Sequence, residues 1–118
     1  MLFINSIPDS VKVVELVDTL METYHLTRRC EIDIDHKIVI WFDKLEFITK
    51  RSLLKSCDGR GETYTEACMD LVKKLHATKY NIRINGGYHT NDVKELVDKV
   101  YINKEWVTLY FFLFMKGW

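Results

Sequence analysis

The chain has 118 residues, with 17 Lys or Arg against 17 Asp or Glu and a formal net charge of zero. That length reads as one domain, residues 1–118, large enough to bury a core without disulfides or metal. The charge balance argues against a general nucleic-acid binder, which carries a basic excess to neutralise phosphates, and against an acidic mimic of nucleic acid.

The first predicted element is the helix in "SIPDSVKVVELVDTLMETYHL". Ser6 is placed to cap it, with Asp9 three positions on and Pro8 tolerated in the first turn. Val13, Val17, Leu20, Met21 and Tyr24 recur at helical spacing, and Glu15, Asp18 and Glu22 make the other face acidic. "RRCEIDIDHKIVIWFDKLEFITKRSLLKSC" then predicts a three-stranded antiparallel meander. Cys30, Ile32 and Ile34 alternate with Glu31, Asp33 and Asp35, which reads as a half-buried strand. Asp35-His36 is a predicted tight turn. Ile38, Ile40 and Phe42 point one way on the second strand, Val39 and Trp41 the other. Asp43-Lys44 is the second predicted turn, and a third strand is expected from about Leu45 to Ser56.

"CDGRGETYTEACMDLVKKL" supplies the second helix, with Tyr64, Ala67, Cys68, Leu71, Val72 and Leu75 on one face. "KYNIRI" predicts a short strand ended by Gly86-Gly87. A third helix fits "TNDVKELVDKVY", with Thr90 as its cap, an apolar face of Val93, Leu96, Val97, Val100 and Tyr101, and Asn103 as its stop. The tail "EWVTLYFFLFM" is apolar on both alternating faces, as a strand is when buried on both sides or covered by a partner. The order α-β-β-β-α-β-α-β predicts an α+β domain. Its single antiparallel sheet has four to five strands, and its helices pack mainly on one face.

Gly59-x-Gly61, between a strand and a helix, invites a phosphate-loop reading. Tyr64 stands where a dinucleotide fingerprint has its third glycine, and Glu62-Thr63 where a Walker loop has Lys-Ser/Thr. Glu62 and Glu66 would also repel an anion from the helix terminus. A structural reading accounts for more. Thr63 caps the helix, Glu66 completes a capping box, the two glycines permit positive φ at the corner, and Ala67 allows close helix approach.

The three strands, the Gly-x-Gly-x-Thr-x-x-x-Ala turn, the helix and the short strand together resemble the N-terminal module of HicB-like antitoxins. "GETYTEA", Gly61 to Ala67, is similar to that family's Gly-[Asp/Glu]-Thr-x-x-Glu-Ala turn. The resemblance covers about residues 29–84 and implies a βββαβ fold. The DNA-binding domain that such proteins usually add has no expected counterpart in this sequence. The first five elements also resemble the order of the double-stranded RNA-binding domain. Thr65-Glu66-Ala67-Cys68 stands where that family has a basic Lys-Lys-x-Ala-Lys type motif, so RNA binding in that mode is not expected.

Catalytic patterns are sparse. Glu31, Asp33 and Asp35 on one side of a strand are the one weak metal alternative, as in a metal-dependent nuclease; the competing reading is a solvated strand face. His25, His36, His76 and His89 are scattered, and neither Cys30 nor Cys57 has an identifiable local base. Cys30, Cys57 and Cys68, odd in number and irregular in spacing, are expected as free thiols in a reducing, cytoplasmic setting. "MLFINSIPDS" lacks the basic region of a signal peptide, and the longest apolar run, about ten residues, falls short of the roughly 20 a membrane helix needs. No cofactor and no membrane association are expected.

The expected function is therefore a non-catalytic protein acting through protein–protein contact. By analogy of size, the setting is a small phage or mobile-element inhibitor of a host defence nuclease, anti-CRISPR-like. Trp106, Tyr110, Phe112, Phe114 and Trp118 are one candidate surface, since aromatic anchors dominate interface hot spots, and Glu15, Asp18 and Glu22 are another. A homodimer through the C-terminal strand is compatible with this. The alternative is a nucleic-acid-binding or antitoxin-like regulator using Arg28, Arg29, Lys50, Arg51, Lys55 and Arg60, with nucleic acid contacted as part of a complex.

Overall fold

A computed structural model describes residues 10–50 and 54–100. In chain order the elements are α1 (Ser10–Tyr24), β1 (Arg28–Ile32), β2 (Ile38–Ile48), β3 (Leu54–Gly61), α2 (Tyr64–Ala77), β4 (Asn81–Ile84) and β5 (Gly87–Tyr88). A third helix, α3, occupies 90–100. The fold is α+β with one antiparallel five-stranded sheet, as predicted. Ser6, Pro8, Asp9, Arg51, Tyr101, Asn103 and the aromatic tail with Trp106, Tyr110, Phe112, Phe114 and Trp118 lie outside the described residues.

β2 is the spine. β3 lines one of its edges over nearly the whole length, from Ile38↔Gly61 to Ile48↔Leu54. Two strands share the other edge. β1 pairs with the first half, Arg28↔Phe42 to Ile32↔Ile38, and β4 with the second, Leu45↔Ile84 to Ile48↔Asn81. β3 and β4 thus run parallel on either side of β2, and α2 crosses between them as a split β-α-β unit. The core lies between sheet and helices. Ile40, Phe42, Leu45 and Phe47 of β2 and Ile82 and Ile84 of β4 meet Val13, Val17 and Leu20 of α1, Leu71 and Leu75 of α2, and Val93 and Val97 of α3.

Four predicted features are corrected. First, Asp43-Lys44 does not turn the chain. β2 runs through it, and the register shifts there by a bulge in which Lys44 takes φ 65°. A bulge kinks a strand using the same polar, left-handed-tolerant residues that mark a turn. The third strand accordingly starts at Leu54 and runs into the glycine stretch. Second, the tip after β1 is a three-residue loop. Asp33 N–H bonds the Lys37 carbonyl at 2.9 Å, His36 N–H bonds the Asp33 carbonyl at 3.0 Å, and His36 has φ 59°. Third, Gly59 and Gly61 are not in the positive-φ region; among the described glycines only Gly86 is. Fourth, Thr90 does not cap α3. Its hydroxyl accepts the Ile82 N–H of β4 at 2.8 Å, and α3 opens with Val93 N–H on the His89 carbonyl at 3.0 Å.

Candidate functional site

The glycine corner joins β3 to α2. A Cβ on Gly59 would lie 2.1 Å from the Ala67 carbonyl oxygen and 2.7 Å from the Leu71 nitrogen; one on Gly61 would lie 2.5 Å from Glu66 Cβ. Both glycines exist so that α2 can press its backbone onto β3. Two of the amides around the helix start are taken by side chains. Thr63 Oγ1 accepts Glu66 N–H at 3.1 Å, and Glu66 Oε2 accepts Glu62 N–H at 2.8 Å. This is a capping box whose return bond lands one residue before the cap. The helix backbone packs against both glycines, and Glu62 and Glu66 place two carboxylates where an anion would dock.

Side chains of α2 also stitch the outer edge of β3. Asp70 accepts Arg60 N–H at 3.0 Å, and Lys74 Nζ donates to the Asp58 carbonyl at 2.8 Å. Two outward backbone groups of that strand are thereby satisfied, which closes the edge at this point.

β1 is different. All five of its residues are exposed, contrary to the half-buried strand that alternation predicted. The pairs Thr27–Asp43 and Asp33–Lys37 carry hydrogen bonds to β2 at 3.0 and 2.9 Å. Because the pattern repeats every two residues, Arg29 and Glu31 also bond β2, and the N–H and C=O groups of Arg28, Cys30 and Ile32 point outward. Among the described residues no strand pairs with the outer edge of β1. Beside these backbone groups Ile32 is 70% and Ile34 92% exposed. Isolated exposed side chains are ordinary, but two isoleucines at a bare strand edge form a surface that another chain can cover.

The predicted basic set is not gathered into one patch. Arg28 hydrogen-bonds the Tyr64 hydroxyl, lies 5.1 Å over that ring, and sits 3.7 Å from Asp18. Arg29 Nε donates to Asp43 at 2.7 Å. Arg60 bridges Asp33 and Asp35, the latter at 3.3 Å. Lys50 and Lys55 are exposed. Three of the arginines thus already have carboxylate partners before any phosphate arrives.

The acidic triplet is similarly dispersed. Asp33 Oδ1 accepts the N–H groups of Asp35 and Lys37, both at 2.9 Å, and so ties the loop. Desolvation opposes its ionisation. The Lys37 and Asp35 amides and the Arg60 guanidinium outweigh that and hold the carboxyl below the usual range. Glu31 stays on the strand. Among the described residues no group of three or more His, Cys, Asp or Glu is arranged to hold a metal ion. Of the acidic helix face, Asp18 meets Arg28, whereas Glu15 and Glu22 are exposed. Cys57 and Cys68 are buried and Cys30 is exposed, all three as free thiols. Among the described residues no helix is long and apolar enough to cross a membrane.

The chain has no match among family models, curated proteins or solved structures. The functional reading accordingly rests on the chain's own geometry.

Proposed function

We propose that this chain is a non-catalytic protein-binding domain whose contact surface includes the β1–β2 hairpin tip. One observation carries the reading: Ile32 and Ile34, 70% and 92% exposed, lie beside a strand edge that no other described strand pairs. Covering an exposed isoleucine side chain is favourable by roughly 1.5–3 kcal/mol when burial is complete. A tip loop tied by Asp33 keeps that apolar group in one geometry, which lowers the ordering cost of binding. Arg29 is paired with Asp43, and Arg60 with Asp33 and Asp35, which favours a protein surface over a polyanion.

The test is Ile34→Asp, a change at a solvent-facing loop position that should leave the circular dichroism spectrum and melting temperature unchanged. A partner is captured from the native cell, identified by mass spectrometry, purified and titrated. The expected result is at least about a tenfold loss of affinity for the variant. Equal affinity for both proteins would remove the tip from the contact surface.

A further inference from the structure

We propose that the outer edge of β1, which no described residue pairs, binds β1 of a second copy of this chain, antiparallel and centred on Cys30. This rests on reading β1 as a contact edge and names what occupies its backbone. The outward backbone groups set the pairing. The N–H and C=O of Arg28, Cys30 and Ile32 are the ones that point away from β2. Antiparallel pairing about a two-fold axis at Cys30 sets Arg28 opposite Ile32 of the second copy, Cys30 opposite Cys30, and Ile32 opposite Arg28. Each of these is a hydrogen-bonded pair, so every outward group finds a partner.

The side chains then decide between attraction and repulsion. Charges on an edge strand ordinarily guard it, and Arg28 and Arg29 could do that here. In this register they do not meet each other. Arg29 falls opposite Glu31 of the second copy, and Glu31 opposite Arg29, so two opposite-charge pairs flank the axis. Both residues are free to take part. Asp43 accepts only the Nε–H of Arg29, which leaves the terminal guanidinium nitrogens, and Glu31 has no ion pair among the described residues. The Arg28 guanidinium is engaged by Tyr64 and Asp18 of the helices, so its aliphatic stem is what meets Ile32 of the second copy. A one-residue shift of this pairing would turn inward-bonded groups toward the partner, so the register is fixed by the backbone as well as by charge. The hairpin tips point in opposite directions along such a ribbon, which keeps each Ile34 outside the paired strands. Five residues per copy make a small interface, so the dimer is a weak one.

Self-association is measured by sedimentation equilibrium up to about 100 µM, a range that resolves a micromolar Kd. The wild type is expected to dimerise, and Glu31→Arg and Arg29→Glu each to be monomeric, weakened by at least about tenfold. An equimolar mixture of the two variants restores both opposite-charge pairs and should dimerise again. Glu31→Arg leaves the Arg29–Asp43 bond intact, so its monomer cannot be blamed on a lost fold, and a melting curve verifies this. Copper-phenanthroline, as oxidant, should join the two Cys30 thiols of the wild type, because Cα atoms in such a pair stand about 5.5 Å apart, within disulfide reach. The cross-link should vanish in Cys30→Ser. A monomeric wild type, a dimer indifferent to both charge reversals, or a mixture that stays monomeric overturns the proposal. Slow amide exchange at Cys30 in a monomer overturns it too, by showing that the chain's own residues cover the edge. Ile34→Asp discriminates between the two readings: it should spare the dimer while losing the heterologous partner.

Discussion

The sheet has two edges that solve one physical problem in opposite ways. β3 leaves its outer backbone groups to α2, which sits so near that Gly59 has no room for a Cβ, and Asp70 and Lys74 reach across to the strand. β1 is shorter, five residues against eight; each of its residues is exposed, and among the described residues nothing pairs with its outer backbone groups. The contrast shows that an edge is closed by close approach, and close approach is purchased with glycines. Where the sequence supplies none, as in Arg28–Ile32, no described helix or strand closes the edge. The sharpest way to break the comparison is to spoil the close approach. Gly59→Ala sets a methyl against backbone atoms that cannot swing aside, so the loss should reach or exceed the upper end of overpacking costs, about 3 kcal/mol. Ile32→Ala, on the open edge, should stay within about 0.5 kcal/mol in the same urea titration of dilute protein.

A second contrast is chemical. Cys57 sits on the closed strand, and burial pushes its thiol up to about 12, with nearby Lys74 only partly opposing. Desolvation also raises Cys68, against its hydrogen bond to Tyr64 and the charge of Arg28. Cys30 lies on the open strand. A thiol reagent at neutral pH should therefore label one cysteine in native monomer and all three in denaturant, with the first label mapped to Cys30. Labelling of Cys57 at a comparable rate would mean that the β3–α2 seam opens easily. Thr63→Ala tests the same seam more gently. It frees the Glu66 N–H and should cost about 1 kcal/mol, measurable as a shift in urea midpoint without a change in slope.

What the sequence revealed divides along the same line. The periodicity of α2 identified its buried face, since Ala67, Cys68, Leu71, Val72 and Leu75 are all buried. The glycines at 59 and 61 marked the corner correctly, but for the wrong reason. Positive φ and close approach both select glycine, and only the position of the neighbouring helix tells them apart. Asp43-Lys44 misled because a bulge and a turn draw on the same residue types. β5 was missed although Asn85-Gly86, with φ 52° and 85°, is the standard signal of a two-residue hairpin turn. The open edge was not legible at all. Alternation says which residues share a face, never whether anything covers it. The fates of Arg28, Arg29 and Arg60 depended on cross-strand register, which a single sequence does not fix.

The smallest expected effect concerns why β1 keeps its place without a cover. Its position is set at the loop, where Asp33 accepts two amides and meets Arg60 of β3, so the hairpin is tied to the closed side of the sheet. Desolvation disfavours the Asp33 carboxylate, yet the two amides and the guanidinium prevail and its folded-state pKa is lowered. A group depressed on folding contributes stability that is fully present above its unfolded pKa, near 4, and is lost as pH falls through the folded value. Asp33→Asn retains a side-chain oxygen for the amides but removes the charge. It should be slightly less stable than the wild type at pH 7, with the difference shrinking below about pH 4 as the wild-type carboxyl takes up its proton. Urea unfolding of both proteins across that range provides the measurement. A difference that is the same at both ends would mean that the loop is held by its hydrogen-bond geometry alone, and that Arg60 does not anchor the open strand to the closed one.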